Sequence, residues 1–306
     1  MKHFKKGLLL LIVAILALTL YLLPTQKNSP DLSKVKNVEK EIVILAKKAE
    51  EINISSKPAI IAPMVSPGIF AKFDSLEQSK RFDFIKENLR NYNLTDVEYN
   101  WLKKQIKDKG LYIVTRNDMC SMLVNQKKKD PDLYLTFIDF YEDKSESPKW
   151  RDYAVQFIGQ SLPLTENDND KEGIYQVLLD IAKYDTTLIP GTAMLQLAQQ
   201  ESHGNIKLDK RYDQLMDWYL SSDKTKESIK ISLIGIIAKR KTKKHLPMLR
   251  EIIKTSERIG MRRASIATIG LIGDKSDIEL IKPYLQDENK LVVMAAKAAT
   301  VRLKKL

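Results

Sequence analysis

The sequence contains few of the residues that form disulfides or bind metals. One cysteine, Cys120, is present among the 306 residues, so no disulfide can form within the chain. The three histidines, His3, His203 and His245, leave little material for a histidine-based metal centre or proton relay. We therefore expect a protein that holds together through its hydrophobic core and has no enzymatic activity, metal or cofactor.

Glycine and proline are also scarce, with 11 of each, and this disfavours a turn-rich all-β chain. Hydrophobic residues make up 43% of the chain and charged residues 29%, a balance that excludes disorder of the whole. A chain of this length forms one large domain or two small ones. These features together predict an all-α globular protein.

The amino-terminal residues have the pattern of a membrane segment. Lys2, Lys5 and Lys6 precede an uncharged run over residues 7–23, GLLLLIVAILALTLYLL, which spans about 25 Å as a helix. Residues 1–24 are therefore predicted to be a membrane anchor or a signal segment. Because nothing after Ala17 resembles an A-x-A cleavage site, we favour an uncleaved anchor.

The lysines at the start of the chain also predict its orientation. By the positive-inside rule they stay in the cytoplasm, and the body after the membrane segment is exported to the periplasm or the extracellular space. Cleavage of the signal would instead make the protein secreted. Export disfavours a nucleic acid as the partner, although the formal net charge of +12 would otherwise suggest one.

Residues 25–57 are rich in lysine and glutamate and are predicted to form a juxtamembrane amphipathic helix. Their apolar residues follow a 3-4 spacing at Val35, Val38, Ile42, Leu45, Ala49 and Ile52. This short heptad pattern leaves two alternatives, a helix that packs on the body and a stalk that forms a homodimer through residues 35–52. The small Ala49 in the seam favours the first.

Residues 58–115 are predicted to form a proline-containing loop followed by helices that cap the amino-terminal end of the body. Pro58, Pro63 and Pro67 prevent a long helix at the start of this region. Thr95 and Glu98 have the spacing of a capping box, so a helix is expected to begin after Thr95.

From residue 116 onward the sequence repeats itself. The segment SIATIGLIG from Ser265 matches KISLIGIIA from Lys230 at an offset of 35, apolar to apolar and small to small. A second helical pattern follows each copy, so one unit is a pair of helices. Since one pair cannot bury both of its apolar faces, the pairs must stack. Small residues such as Gly235 and Gly270 are expected to let neighbouring helices approach closely.

The repeat resembles the HEAT-like repeat family, including the short bacterial repeats of the phycobilin-lyase type. The residues that carry the resemblance are MRRASIATIGLIGD at 261–274, the segment 278–287, and VVMAA at 292–296. The resemblance implies a right-handed α-α superhelix, a HEAT or armadillo-type solenoid, over residues 116–306. It further implies a concave protein-binding surface. Val293 departs from the pattern, because the family has an arginine there.

The strongest polar feature is the stretch from Ser228 to Arg250, which holds seven basic residues and no acidic one. Together with two arginines that follow, it predicts an anion-binding or partner-binding edge, although a solvated turn between helices has the same composition. The candidate residues are Lys239, Arg240, Lys241, Lys243, Lys244, Arg262 and Arg263.

Several other patterns are expected to be structural rather than functional. The Asp168–Gly173 segment resembles a calcium loop but has Leu179 where the bidentate glutamate belongs, so we interpret it as a polar loop. Glu201-Ser202-His203 lacks the surroundings of a nucleophile and is interpreted as a loop. Core positions are expected for Cys120, Trp101, Trp150 and Trp218.

The sequence thus predicts a membrane-anchored, non-enzymatic scaffold that binds another protein on the exported side of the membrane. The alternative is an exported binding or assembly factor for an anionic ligand or cofactor, which would use the basic edge. A nucleic-acid-binding role would require the body to face the cytoplasm.

Overall fold

The computed structural model describes residues 66–91 and 93–306, and this part of the chain is helical and contains no strand. The predicted all-α class is thereby confirmed. The predicted membrane segment 7–23, the helix predicted over residues 35–52, and Pro58 and Pro63 lie outside the described residues. No helix among the described residues combines the length and the apolar character that crossing a bilayer requires.

The helices follow one another with short connections. In chain order the α-helices of the described residues are α1 Gln78–Asn88, α2 Asp96–Gln105, α3 Ile113–Val124, α4 Leu133–Glu142, α5 Pro148–Gln160, α6 Asp168–Tyr184, α7 Ile189–Ser202, α8 Lys210–Ser221, α9 Glu227–Arg240, α10 Leu246–Thr255, α11 Ile259–Ile272, α12 Asp277–Ile281 and α13 Lys290–Lys304. Short 3-10 helices lie at Gly68–Phe70, Phe73–Ser75, Leu162–Leu164, Lys243–His245 and Lys282–Gln286.

The helices lie in two rows. Each odd-numbered helix packs against the next odd-numbered one, from α1 through α13, so these helices form one continuous row. Each even-numbered helix packs on the odd-numbered helix that follows it in the chain. The described residues all belong to one compact unit.

Glycines have different roles in the odd-numbered row. A Cβ atom at Gly270 would lie 2.5 Å from both Cα and Cβ of Ala299, so α11 and α13 approach as closely as a missing side chain allows. Gly159 meets the side chain of Gln196 in the same way, at 2.6 Å. Gly235, in contrast, faces open space. The prediction of a close approach is correct for Gly270 and wrong for Gly235.

An arginine at the fourth position of three odd-numbered helices ties neighbouring elements together. Its Nε donates to a backbone carbonyl that precedes its helix, and its guanidinium pairs with an acidic residue that precedes the next odd-numbered helix. The carbonyl, arginine and acid of each tie are Ile106, Arg116 and Glu146; Tyr141, Arg151 and Asp185; and Ser256, Arg262 and Asp287. We call these three sets the arginine ties.

Four odd-numbered helices lack an arginine tie. In α1 the fourth residue is Arg81, which donates to the carbonyls of Phe73 and Leu76 but has no ion pair to a described residue. The fourth residue is Thr192 in α7, Lys230 in α9 and Val293 in α13. Thr192 donates instead to Asp152 of α5 at 2.6 Å, and Lys230 has no ion pair to another described residue. The ties therefore start from α3, α5 and α11, and none starts from α7 or α9.

The capping box at the start of α2 also fastens the amino-terminal segment. Thr95 and Glu98 cap each other as predicted, and Glu98 Oε1 also accepts a hydrogen bond from the Ile69 amide at 2.8 Å. Burial alone would raise the pKa of Glu98, but the hydrogen bonds from Ile69 and Thr95 lower it overall. The ionised carboxylate therefore holds the 3-10 helix Gly68–Phe70 against α2.

Candidate functional site

The basic edge lies where α9 ends and the chain turns into α10. Four of the seven candidate cations are exposed and have no ion pair to another described residue, namely Lys239, Lys241, Lys243 and Arg263. The other three have partners within the fold. Arg262 belongs to an arginine tie and pairs with Asp287 at 3.1 Å. The charge available to a ligand is therefore smaller than the sequence suggests.

Arg240 and Lys244 are held by acidic residues of α7 and α8. The guanidinium of Arg240 lies 2.8 Å from Glu201 and 2.7 Å from Asp213. Lys244 pairs with Asp217 at 3.0 Å, and Nε2 of His245 lies 2.8 Å from the same carboxylate. These contacts fix the connection from α9 to α10, and they make both cations structural.

One lysine of the basic edge ends α9 in an unusual conformation. Lys241 has a φ of 52° and a ψ of 38°, the left-handed region that helix-ending glycines normally occupy. The amide of Thr242 donates back to the carbonyl of Ile237 at 3.1 Å, which closes the helix end.

Replacing Lys241 with glycine is expected to stabilise the protein by about 1 kcal/mol, because glycine adopts this conformation without steric cost. Lys243→Gly is the matched control, since it removes the same charge at a residue whose φ is not positive. Chemical denaturation of both variants checks the prediction. A gain for Lys243→Gly as large as that for Lys241→Gly would show that charge, not backbone conformation, is the cause.

The other patterns in the sequence fall mostly on helices. Asp168 begins α6 and Glu201-Ser202 end α7, so both segments lie in terminal helical turns and the predicted loops are wrong. Cys120 is buried, and burial raises the pKa of its thiol. Among the described residues no cluster of histidine, cysteine or carboxylate side chains has the geometry to hold a metal ion.

The three tryptophans do not share one environment. Trp101 and Trp150 are fully buried, as predicted. Trp218 is 56% exposed, so its predicted core position is wrong. It stands on α8 opposite Tyr184, the last residue of α6, which is 67% exposed. Two large aromatic rings thus face solvent where α6 and α8 meet.

A cavity of about 540 Å³ opens between these two helices. Leu179 and Leu215 contribute apolar surface to it, and Tyr184 and Trp218 stand at the ends of its two helices. The lining residues are Gln176, Leu179, Asp180, Lys183, Tyr184, Arg211, Gln214, Leu215 and Trp218.

Two further cavities continue this opening along the ends of the helices. One of about 190 Å³ shares Tyr184 and Trp218 with the first and extends to Lys226. A third of about 570 Å³ shares Lys226 with the second and lies at the first turns of α5, α7 and α9, lined by residues such as Thr192 and Ser232. We call this continuous surface, lined by the three cavities, the Trp218 groove.

The Trp218 groove is positively charged. Two of its three acidic residues are engaged within the fold, because Asp185 pairs with Arg151 and accepts from Tyr141, and Asp152 accepts from Thr192. The third, Asp180, is exposed and accepts a hydrogen bond from Gln176. Four lysines of the lining face solvent, namely Lys149, Lys183, Lys224 and Lys226. A hydrogen bond with Tyr184 is the main reason that the pKa of Lys183 is raised, which keeps its ammonium charged.

The groove and the basic edge are separate surfaces. Lys226 of the groove precedes the first turn of α9, and Lys241 of the basic edge follows the last turn. A helix of this length is about 20 Å long. A small ligand therefore cannot contact both Lys226 and Lys241.

No protein-family model matches the chain, and no curated protein sequence matches it.

Proposed function

We propose that this chain is a membrane-anchored, HEAT-like α-solenoid that binds another protein on the exported side of the membrane and performs no catalysis. The two rows of helices and the regular place of the arginine ties support the solenoid, because each step of the row repeats the same helix-on-helix packing. The anchor and the export of the body rest on residues 1–24 of the sequence, with their lysines and the uncharged run 7–23.

The observation that carries the binding role is the exposure of Tyr184 and Trp218 beside the apolar surface of Leu179 and Leu215. Exposed aromatic rings at a groove are the residues that contribute most to protein interfaces, because they bury a large area at little cost in side-chain entropy. A groove of this size accommodates a few side chains of a bound segment.

The charge of the groove indicates the partner. With Lys149, Lys183, Lys224 and Lys226 exposed and the carboxylates of Asp152 and Asp185 already engaged, an acidic segment with an apolar anchor is complementary. The apolar side chain would insert between Tyr184 and Trp218. The acidic residues would run along the lysines toward the first turns of α7 and α9.

A photo-crosslinking amino acid at position 218 of the full-length chain tests the proposal in its native cells. We expect a discrete protein adduct, at least tenfold weaker when Tyr184→Ala is added, because loss of a central aromatic contact costs about 2 kcal/mol of binding. The matched control places the crosslinker at Val97, which is 66% exposed on α2, where no adduct is expected.

Two results would contradict the proposal. Equal protein adducts at positions 97 and 218 would mean that the groove has no special role. Adducts that vanish with Lys239→Ser, Lys241→Ser and Lys243→Ser, but survive Tyr184→Ala, would assign binding to the basic edge, where four unpaired cations favour an anionic ligand.

A further inference from the structure

The last helix of the row, α13, has one uncovered face. Its buried face packs against α11 and α12, and the buried apolar residues are Val292, Ala296, Ala299 and Leu303. No other helix of the described residues packs on the opposite face. The apolar residues exposed there are Leu291, Met294, Ala298 and Val301, which recur at a 3-4-3 spacing and form one stripe along the helix.

The stripe is bordered by cations. The helix contains no acidic residue, and its basic residues are Lys290, Lys297, Arg302 and Lys304, with Lys305 directly after it. At 3.6 residues per turn, Lys290, Lys297 and Lys304 line one flank of the stripe and Arg302 lies on the other. None of these cations has an ion pair to another described residue. The nearest acidic residue without an ion pair to a described residue is Glu288, which is exposed and lies two residues before the helix.

We propose that this stripe of α13 binds the surface of an anionic bilayer. The apolar side chains would enter the boundary between headgroups and acyl chains, and the long basic side chains would reach lipid phosphates on both flanks. This pattern, an apolar stripe flanked by lysine and arginine, is typical of helices that lie in the membrane interface. The contact requires neither the predicted anchor nor the Trp218 groove.

Charge and shape argue for a bilayer over other occupants. A second copy of α13 would bring its own unpaired cations against Lys297 and Arg302, which disfavours a symmetric dimer. The cavities described above lie at α5 to α9, whereas the open side of α13 is a single convex helix. A bilayer surface is flat and anionic, so it can contact the stripe along the whole length of the helix. A protein partner would instead need a groove that receives the convex helix.

A fluorescent label at position 294 tests the proposal. Met294→Cys in the full-length chain is coupled to a polarity-sensitive thiol dye, while Cys120 is fully buried and does not compete. The labelled protein is mixed with detergent-treated vesicles, and removal of the detergent then leaves the protein with the lipid bilayer. With equimolar phosphatidylcholine and phosphatidylglycerol we expect a blue shift of the emission and quenching by a lipid-attached quencher. Phosphatidylcholine alone should give neither.

The charge dependence provides the second measurement. Lys297→Gln and Arg302→Gln should each lower the ratio of shifted to unshifted label about fivefold, and high salt should abolish the shift. Val97→Cys is the matched control, because Val97 and Met294 are both 66% exposed and Val97 lies on α2. Its label should report water with either vesicle.

Three outcomes would overturn the proposal. A shift equal in both vesicles would mean apolar insertion without recognition of charge. A shift without vesicles that grows with protein concentration would assign the stripe to a second copy. No shift with anionic vesicles, together with a shift on adding an acidic polypeptide, would assign it to a protein partner. Crosslinking at position 218 is independent of all three results, so failure here leaves the proposed function standing.

Discussion

Arg116→Ala is expected to lower the free energy of unfolding by about 3 to 5 kcal/mol, because the buried carboxylate of Glu146 loses its two-pronged partner and keeps only the half-exposed Lys109 at 3.9 Å. The side chains of Arg116 and Glu146 are almost completely buried, and two guanidinium nitrogens of Arg116 donate to the two carboxylate oxygens at 3.1 and 2.8 Å. The same guanidinium lies 3.9 Å from the ring centroid of Trp150 and donates to the carbonyl of Ile106. One substitution therefore removes every contact of this tie.

The measurement is equilibrium unfolding in denaturant, followed by circular dichroism, with two comparisons. Lys230→Ala changes the same position of α9, where no tie exists, and should cost less than about 0.5 kcal/mol. The double variant Arg116→Met with Glu146→Leu replaces the buried pair by apolar side chains and should recover much of the loss. Equal losses for Arg116→Ala and Lys230→Ala would show that the tie contributes nothing special.

Gly270→Ala and Gly235→Ala are expected to have opposite effects, although the two glycines align in the repeat. A Cβ atom at Gly270 would lie 2.5 Å from Cα and Cβ of Ala299, so α11 and α13 must move apart. Such overpacking costs about 1 to 3 kcal/mol. Gly235 faces open space within α9, where alanine relieves the entropic cost of glycine and should stabilise by about 0.5 to 1 kcal/mol.

Thermal unfolding of both variants, alongside the unmodified protein, measures this difference. A third variant, Gly270→Ala with Ala299→Gly, returns space to the contact and should recover part of the loss. The packing in the structure would be contradicted if Gly270→Ala unfolded at the same temperature as the unmodified protein. It would also be contradicted if Gly235→Ala were the more damaging change.

The two glycines show how much of the fold can be predicted from the sequence. Helical periodicity and the repeat predict an all-α chain and the positions of its helices, because apolar spacing reports which side of a helix is buried. The same spacing cannot tell which neighbour covers a small residue. Gly235 and Gly270 have the same apolar surroundings in the sequence, but Gly235 is the ninth residue of α9 and Gly270 the twelfth of α11, so they do not occupy equivalent places in the row.

The candidate site is less predictable for a related reason. A run of basic residues shows charge but not pairing, and the partners of Arg240 are Glu201 and Asp213, far from it in sequence. Its helical spacing predicts a core position for Trp218, yet the buried face of α8 is defined by Tyr212, Met216 and Tyr219. A helical projection of α8 places Trp218 outside that face, so the sequence contained the signal for its exposure.

The missing arginine ties have a mechanical consequence for the Trp218 groove. A tie in α7 would join the end of α6 to the connection before α9, and the groove lies between those two places, bordered by Tyr184 and Lys226. Interfaces without such a fastening open at lower cost than those that have one. We expect the row to flex most around α7 and α9. An acidic segment bound in the groove would take the place of the absent arginine tie and make the middle of the protein more rigid.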